Sequence, residues 1–295
     1  MTLENKSSNI VNEIFEPEVR RKWHNLSIEK EKELAERFPD KKYFEFVFDF
    51  WFKRSAKNFS NLSDDFDRWL PSRPWDIDDL VRYRHMILDN EEMIKDKKVA
   101  DVGSHLGFGS LLSLHIGAER VVGLEPYELK NKLASLICQK AGYQNHTFIT
   151  GELKQEDFYN QITGFDTAIL GSLIDMIPSH YQLIQNIAST GVKNIIIEME
   201  DRENSTSETP SVEWRNYGND HVENHGPLNR HRKVALHGFP NLSFLKMLLG
   251  EFGYRLQKTA KYKDNTYMKT PKNRSTSVFV LEVDETGKDV NLKND

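Results

Sequence analysis

Short apolar runs alternate with longer mixed segments along the chain from about residue 97 onward. Short runs of β-branched and other apolar residues are typical of buried strands, whereas apolar positions three and four residues apart are typical of helices. Because parallel neighbouring strands need a crossover between them, the alternation predicts a parallel sheet covered by helices on both faces. The predicted strands are 98–102, 120–125, 146–150, 165–170 and 193–199, and the predicted helices between them are 107–116, 128–141, 155–161 and 179–189.

The pattern changes at both ends of this alternating region. Residues 1–95 are expected to be mainly helical, with a helix that begins near Asp76 and runs to about Asn90. The aromatic-rich run 43–52 lacks a clean alternation, so strand and helix both stay open there. After Pro240 the pattern predicts one more helix and then two strands, at 242–251, 254–262 and 275–283.

The segment between the first two predicted strands carries the strongest chemical signal. An apolar run ends at Gly103, a turn with Gly107 and Gly109 opens a helix, and the next apolar run ends at Glu125. Strand, glycine turn, helix, strand and acid are typical of the first crossover of a doubly wound sheet that holds an adenosine-containing ligand. The Glu125 carboxylate would accept hydrogen bonds from both ribose hydroxyls.

The glycine spacing distinguishes between such ligands. The Gly-x-Gly-x-x-Gly spacing of dinucleotide-binding domains is absent. The arrangement of Asp101, Gly103 and Gly107 instead resembles the first motif of the class I S-adenosylmethionine-dependent methyltransferases, with His105 in place of the middle glycine. The resemblance extends over about 97–283 and implies a seven-stranded sheet whose last strand is inserted antiparallel, which the final helix and strand pair fit.

The resemblance implies a site for S-adenosylmethionine at the carboxyl edge of the sheet. Glu152, just after the third predicted strand, would bind the adenine amine, although an acid at a helix N-terminus has an equally good structural reason. The implied cofactor-binding residues are Asp101, Gly103, Ser104, His105, Gly107, Glu125, Pro126, Glu152 and Ser172.

Acceptor residues are expected after the fourth predicted strand and in the long polar segment 200–240. Asp175 and His180 could accept a proton from the acceptor, or could simply begin the next helix. Alignment of the nucleophile with the methyl group is the main requirement, so a dedicated base is not obligatory. The further candidates for acceptor contact or catalysis are His221 and His225.

The segment 200–240 is interpreted as a substrate lid, with a solvated loop as the alternative. Its basic cluster at 230–233 suits a phosphate or carboxylate on the acceptor. His221 and His225 are four residues apart, but the Asn, Gly and Pro residues around them oppose a helix, so no metal site is predicted.

Composition narrows the class of protein. Lys and Arg total 40 against 45 Asp and Glu, and a net charge of -5 argues against general nucleic-acid binding. A single cysteine, Cys138, excludes an intrachain disulfide and a thiolate cluster. The N-terminus lacks a signal-peptide core and no apolar run reaches the length of a membrane span, so a cytoplasmic protein is expected.

The motif resemblance, the hydrophobic pattern and the composition together predict an α/β, Rossmann-like methyltransferase. The resemblance implies that it transfers a methyl group to an oxygen or nitrogen of a soluble small-molecule acceptor. The expected organisation is an N-terminal helical cap on 1–95, the methyltransferase domain over 96–285 with its lid at 200–240, and a disordered tail over 286–295. Two alternatives stay open. The segments from the fourth strand to the helix after Pro240 loosely resemble wobble-uridine tRNA-modifying enzymes, and His105 leaves room for a catalytically silent protein that binds S-adenosylmethionine or NAD.

Overall fold

The computed structural model describes residues 77–202, 207–216, 236–264 and 272–282. The chain divides into two units, Met1–Asp79 and Leu80–Asp295, and nearly all of the described residues belong to the second. The aromatic run 43–52 and most of the predicted N-terminal cap lie outside the described residues.

Apart from the strands Val212–Asn216 and Leu236–Pro240, the described elements follow the order that the hydrophobic pattern predicts. The helices are α1 (Ile77–Met86), α2 (Phe108–His115), α3 (Glu128–Lys140), α4 (His180–Ala188) and α5 (Leu242–Gly250), with 3₁₀ turns at Leu88–Met93 and Glu156–Ile162. The strands are β1 (Lys98–Val102), β2 (Arg120–Glu125), β3 (His146–Thr150), β4 (Thr167–Gly171), β5 (Asn194–Glu200), β6 (Val212–Asn216), β7 (Leu236–Pro240), β8 (Tyr254–Asp264) and β9 (Lys272–Leu281).

Seven of these strands form one sheet in the order β3-β2-β1-β4-β5-β9-β8. The pairs from β3 to β5 are parallel, whereas β9 runs antiparallel to both β5 and β8. The prediction of a mainly parallel sheet whose last strand is inserted antiparallel is therefore confirmed. The order reverses beside β1, which places the carboxyl ends of β1, β2 and β4 around one crevice.

The central strands are buried because helices cover the sheet. Val99, Ala100 and Val102 of β1 and Ile195, Ile196 and Ile197 of β5 are fully buried. Strands enclosed on both faces read as nearly continuous apolar runs, which is why the pattern predicted β1 and β2 at their observed bounds. A polar side chain inside such a run, as at Glu198 in β5, therefore needs a partner within the protein.

The first helix differs from the prediction at its end. It stops at Met86 rather than near Asn90, and Asn90 has a non-helical conformation within the following 3₁₀ turn. The Asn90 side-chain amide donates to the carbonyls of His85 and Met86 at 2.8 and 3.0 Å, so it satisfies the last turn of the helix from outside it.

The two ends of the segment 200–240 also differ from a structureless connection. β6 and β7 pair antiparallel, from Val212 opposite Pro240 to Asn216 opposite Leu236, in a separate two-stranded sheet. The Gly238 amide of β7 donates to the Asp175 carbonyl at 3.0 Å, which attaches this small sheet to the segment after β4.

Among the described residues, no helix combines the length and apolar character that crossing a membrane requires.

Candidate functional site

The turn between β1 and α2 has a left-handed backbone at three positions. Gly103, His105 and Gly107 have φ values of 75°, 50° and 74°. Glycine adopts this conformation without steric cost, whereas a residue with a Cβ pays about 1–2 kcal/mol. The position where the motif normally has its middle glycine is thus left-handed here too, and His105 occupies it with its side chain exposed.

The turn is fastened to the end of β2. The amides of Gly103 and Ser104 donate to the Leu124 carbonyl at 2.8 and 3.1 Å. The His105 amide donates to Glu125 Oε2 at 3.1 Å. The backbone of the motif and the acid of the motif are therefore in direct contact.

The close approach at two motif glycines is to the protein's own side chains. A Cβ on Gly107 would lie 2.6 Å from the Ala134 Cβ of α3 and 2.8 Å from the Phe148 ring of β3. A Cβ on Gly103 would lie 2.8 Å from the Leu173 side chain. These glycines let the elements around the turn pack tightly.

Asp101 connects β1 to α2. It is buried and accepts a hydrogen bond from Ser110 Oγ at 2.7 Å. Burial raises the pKa of Asp101 to about 6. A Cβ on Gly109 would lie 3.0 Å from Asp101 Oδ2. The third glycine of the segment therefore leaves room for the carboxylate of Asp101.

Glu125 lies buried at the end of β2 within a set of donors. Its carboxylate accepts from the amides of His105 and Tyr127, at 3.1 and 3.3 Å. Lys130 Nζ of α3 lies 3.5 Å from Glu125 Oε1. Burial raises the pKa of Glu125, and the charge of Lys130 and the two amides oppose that rise. The sequence predicted that Glu125 ends the second strand, as observed, but nothing in the pattern of α3 indicated that Lys130 would be buried beside it.

Other cofactor candidates differ in their surroundings. Ser104 is buried, and its Oγ has no hydrogen-bond partner among the described residues. Glu152 follows β3 and forms an ion pair with Lys154 at 3.0 Å. Pro126 is partly buried directly after Glu125.

The end of β4 carries a buried charge cluster that sequence reasoning missed. Ser172 has a φ of 49°, and its Oγ donates to Glu198 Oε2 at 3.0 Å and accepts from Arg82 Nη2 and Arg274 Nη1 at 2.6 and 2.9 Å. The same arginines bind Glu198 at 2.8 and 2.7 Å, and the Tyr262 hydroxyl donates to it at 3.2 Å. We call Arg82, Ser172, Glu198, Tyr262 and Arg274 the Glu198 cluster.

The electrostatics of the Glu198 cluster follow from these contacts. Burial alone would raise the pKa of Glu198, but the charges of Arg82 and Arg274 hold it at about 2. The signal available in the sequence was one acid inside the apolar run of β5. Its arginine partners are 116 and 76 residues away, so no local pattern connects them.

Asp175 and His180 lie together against the β6–β7 pair. Both are buried, and Asp175 Oδ1 and His180 Nε2 have no hydrogen-bond partner among the described residues. The His180 ring stacks on Trp214 of β6 with centroids 5.6 Å apart, and a Cβ on Gly238 would meet both rings. Burial, and next the charge of Glu198, raise the pKa of Asp175 to about 6, while burial lowers that of His180.

The structure does not test the remaining histidine candidates of the lid segment. His221 and His225 lie outside the described residues. His237 is buried in β7, 6.3 Å from the Phe239 ring. Within the described part of the chain, no group of three or more His, Cys, Asp or Glu side chains could hold a metal ion.

No family model and no curated protein matches the chain by sequence. Solved structures match its fold. The N-terminal domain of EvdMO1 with S-adenosylhomocysteine bound is 12% identical over 68% of this chain and 81% of that chain, with a TM-score of 0.51. A putative S-adenosylmethionine-dependent methyltransferase from Listeria monocytogenes is 12% identical over 69% of this chain and 100% of that chain, with a TM-score of 0.50. Together with the strand order, these matches show that the chain has the fold of the class I S-adenosylmethionine-dependent methyltransferases.

Proposed function

We propose that this protein binds S-adenosylmethionine and transfers its methyl group to an oxygen or nitrogen atom of a small-molecule acceptor. The observation that carries the proposal is the buried carboxylate of Glu125, joined to the left-handed motif turn at the carboxyl edge of a sheet with methyltransferase topology. The EvdMO1 domain of the same fold was crystallised with S-adenosylhomocysteine, which supports the choice of cofactor.

The donor side of the site has groups suited to an adenosine. Glu125 would accept from the ribose hydroxyls, and charge-assisted bonds of this kind are about twice as strong as neutral ones. The unpartnered Oγ of Ser104, buried in the same turn, has a hydrogen bond to give. Asp101, Gly103 and Gly107 would shape the turn, and His105 would flank the ligand. Pro126, Glu152 and Ser172 are proposed to complete this cofactor site.

The acceptor side is proposed to lie at the end of β4, beside the β6–β7 pair. Trp214 keeps 46% of its surface exposed and offers an aromatic wall. A pKa of about 6 leaves the Asp175 carboxyl mostly ionised at neutral pH, so that it can take a proton from an acceptor hydroxyl or amine. The proposed roles of His180, His221 and His225 in acceptor contact rest on their position in the sequence.

The chemistry requires alignment more than acid–base catalysis. When bound, S-adenosylmethionine supplies an electrophilic methyl group on a sulfonium. The chain's own contribution would be to hold the acceptor atom in line with that methyl group, to exclude water, and to take the released proton at Asp175 Oδ1.

Calorimetric titration with S-adenosylmethionine, S-adenosylhomocysteine and NAD tests the proposal. The first two should bind with micromolar affinity and NAD should not, and Glu125→Ala should weaken binding at least tenfold. Glu128→Ala is the matched control, because Glu128 lies three residues further along the chain and forms an ion pair with Lys132 in which both side chains are 69% exposed.

Failure of the folded protein to bind either cofactor form would overturn the proposal. Tight tRNA binding that falls steeply with salt would favour the RNA-modifying alternative, since such a slope reports phosphate contacts. Equal binding by wild type and Glu125→Ala would remove Glu125 from the site.

A further inference from the structure

Lys130, in the first turn of α3, is unusually placed for a lysine. Its Nζ lies 3.5 Å from Glu125 Oε1, and the two side chains are only 11% and 6% exposed. The ammonium also lies 4.6 Å from the centre of the Tyr127 ring. Lysine is almost never buried unless paired, because removing an ammonium from water costs free energy.

A second lysine on the same helix shows the ordinary alternative. Lys132 pairs with Glu128 at 2.6 Å, but both side chains are 69% exposed. Exposed pairs of this kind contribute little to stability, because solvent screens the two charges. Burial lowers the pKa of Lys130, and the charge of Glu125 opposes that lowering. The Glu125 carboxylate therefore offsets part of the free-energy cost of burying the Lys130 ammonium.

The surroundings of Glu125 act on its pKa in opposite directions. Burial raises the pKa of Glu125, and the charge of Glu125 in turn raises the pKa of Asp101 of β1. Lys130 of α3 and the amides of His105 and Tyr127 favour the carboxylate. His105 is itself an exposed residue. Lys130 is thus the full positive charge that opposes the effect of burial on Glu125.

We propose that Lys130 is a positioning residue for the ribose-binding acid: it keeps Glu125 ionised and anchors Oε1 at α3, so that Oε2, beside the His105 amide, accepts from a ribose hydroxyl. This inference rests on the proposed function for its consequence in ligand binding. A protonated carboxyl would present one donor and a weaker acceptor, and would lose the charge-assisted bond.

Lys130→Met tests the inference through the pH dependence of S-adenosylhomocysteine binding, measured by calorimetry from pH 6 to 9. Without the lysine the pKa of Glu125 rises further, so the variant should bind more weakly than wild type as the pH falls. A rise of one unit gives a deficit of up to about tenfold, reached when the pH lies below the pKa of Glu125 in both proteins. The deficit should shrink toward pH 9, where the acid ionises in both proteins. Lys132→Met is the matched control and should follow the wild-type profile.

A second measurement does not depend on the ligand. Carbon-13 NMR titration of the Glu125 carboxyl, assigned with Glu125→Gln, should show a higher midpoint in Lys130→Met than in wild type. Lys130→Arg keeps the charge and should restore both the midpoint and the binding profile. If Lys130→Met does not fold, Lys130→Gln replaces it in both measurements.

The outcomes separate the two proposals. An unchanged NMR midpoint, or a binding deficit that is the same at every pH, overturns the positioning role. A shifted midpoint in a protein that binds no S-adenosylhomocysteine overturns the proposed function, while the coupling between Lys130 and Glu125 stands.

Discussion

Asp175, shortly after the end of β4, is a single carboxyl group in an environment that disfavours its charge. It is buried after β4 with one carboxylate oxygen unpartnered, and its pKa is raised to about 6 by burial and by the charge of Glu198. The folded state therefore holds the Asp175 proton more tightly than the unfolded chain, and its contribution to the free energy of unfolding falls as the pH rises from about 4 to about 6. Groups perturbed in this way concentrate at functional sites.

Asp175→Asn should consequently gain stability relative to wild type as the pH rises. The difference in the free energy of unfolding between variant and wild type should grow by about 2–2.5 kcal/mol between pH 4 and pH 7, as the shift from 3.8 to about 6 implies. Urea denaturation at several pH values measures it. A difference independent of pH would mean that Asp175 is not desolvated when ionised.

Glu125 and Lys130 illustrate what a local pattern can and cannot predict at this scale. Glu125 is the last residue of the apolar strand that comes after the glycine turn. Residues close to it in the sequence therefore fix its position at the edge of the sheet. Lys130 is one of two lysines within three residues, and only tertiary packing decides which is buried.

At the level of elements, the Glu198 cluster joins α1, the end of β4, β5, β8 and β9. Arg82 comes from α1, Arg274 from β9 and Tyr262 from β8, and all three bind one carboxylate. A buried ion pair is weak evidence for stability, but removal of one partner leaves uncompensated buried charge. The cluster should therefore be sensitive to neutralisation of its centre.

Glu198→Gln should lower the free energy of unfolding by about 3–5 kcal/mol at pH 7, because both arginines lose their carboxylate. The pKa of Glu198 is held at about 2, so the loss should be constant above about pH 5 and shrink as the pH falls toward 2. Urea denaturation provides the measurement. Glu282→Gln, at an exposed pair with Arg255, is the control and should cost below about 1 kcal/mol. Equal losses in the two variants would contradict the buried cluster.

The packing of α2 against α3 depends on Gly107. Gly107→Ala introduces left-handed strain of about 1–2 kcal/mol and a collision with Ala134, which adds about 1–3 kcal/mol. Gly142→Ala is the matched control, because its φ is 95° but no atom lies within 4 Å of the new Cβ. Thermal denaturation should therefore show a clearly larger loss for Gly107→Ala, and equal losses would mean that strain alone matters at Gly107.

At the scale of the whole molecule, the sheet order creates the site. Parallel strands deliver their carboxyl ends to one edge, and the reversal of order beside β1 opens the crevice there. The antiparallel β9 then brings Arg274 beside Glu198, although it lies near the end of the described chain. The small β6–β7 sheet covers Asp175 and His180 through Gly238 and Trp214.

The sequence by itself determined the seven strands of the main sheet, the glycine turn and the place of Glu125 at the end of β2. Apolar runs, turn glycines and the residue that ends a strand are local properties of the chain. The observed β1, β2 and β3 have the predicted bounds, and the expected antiparallel insertion is present. Only the tertiary structure decided the burial of Lys130, the close packing at Gly107, the Glu198 cluster and the pairing of β6 with β7. Each of these depends on which distant residues meet once the sheet has formed, and burial then sets the strength and the protonation of the charges that meet there.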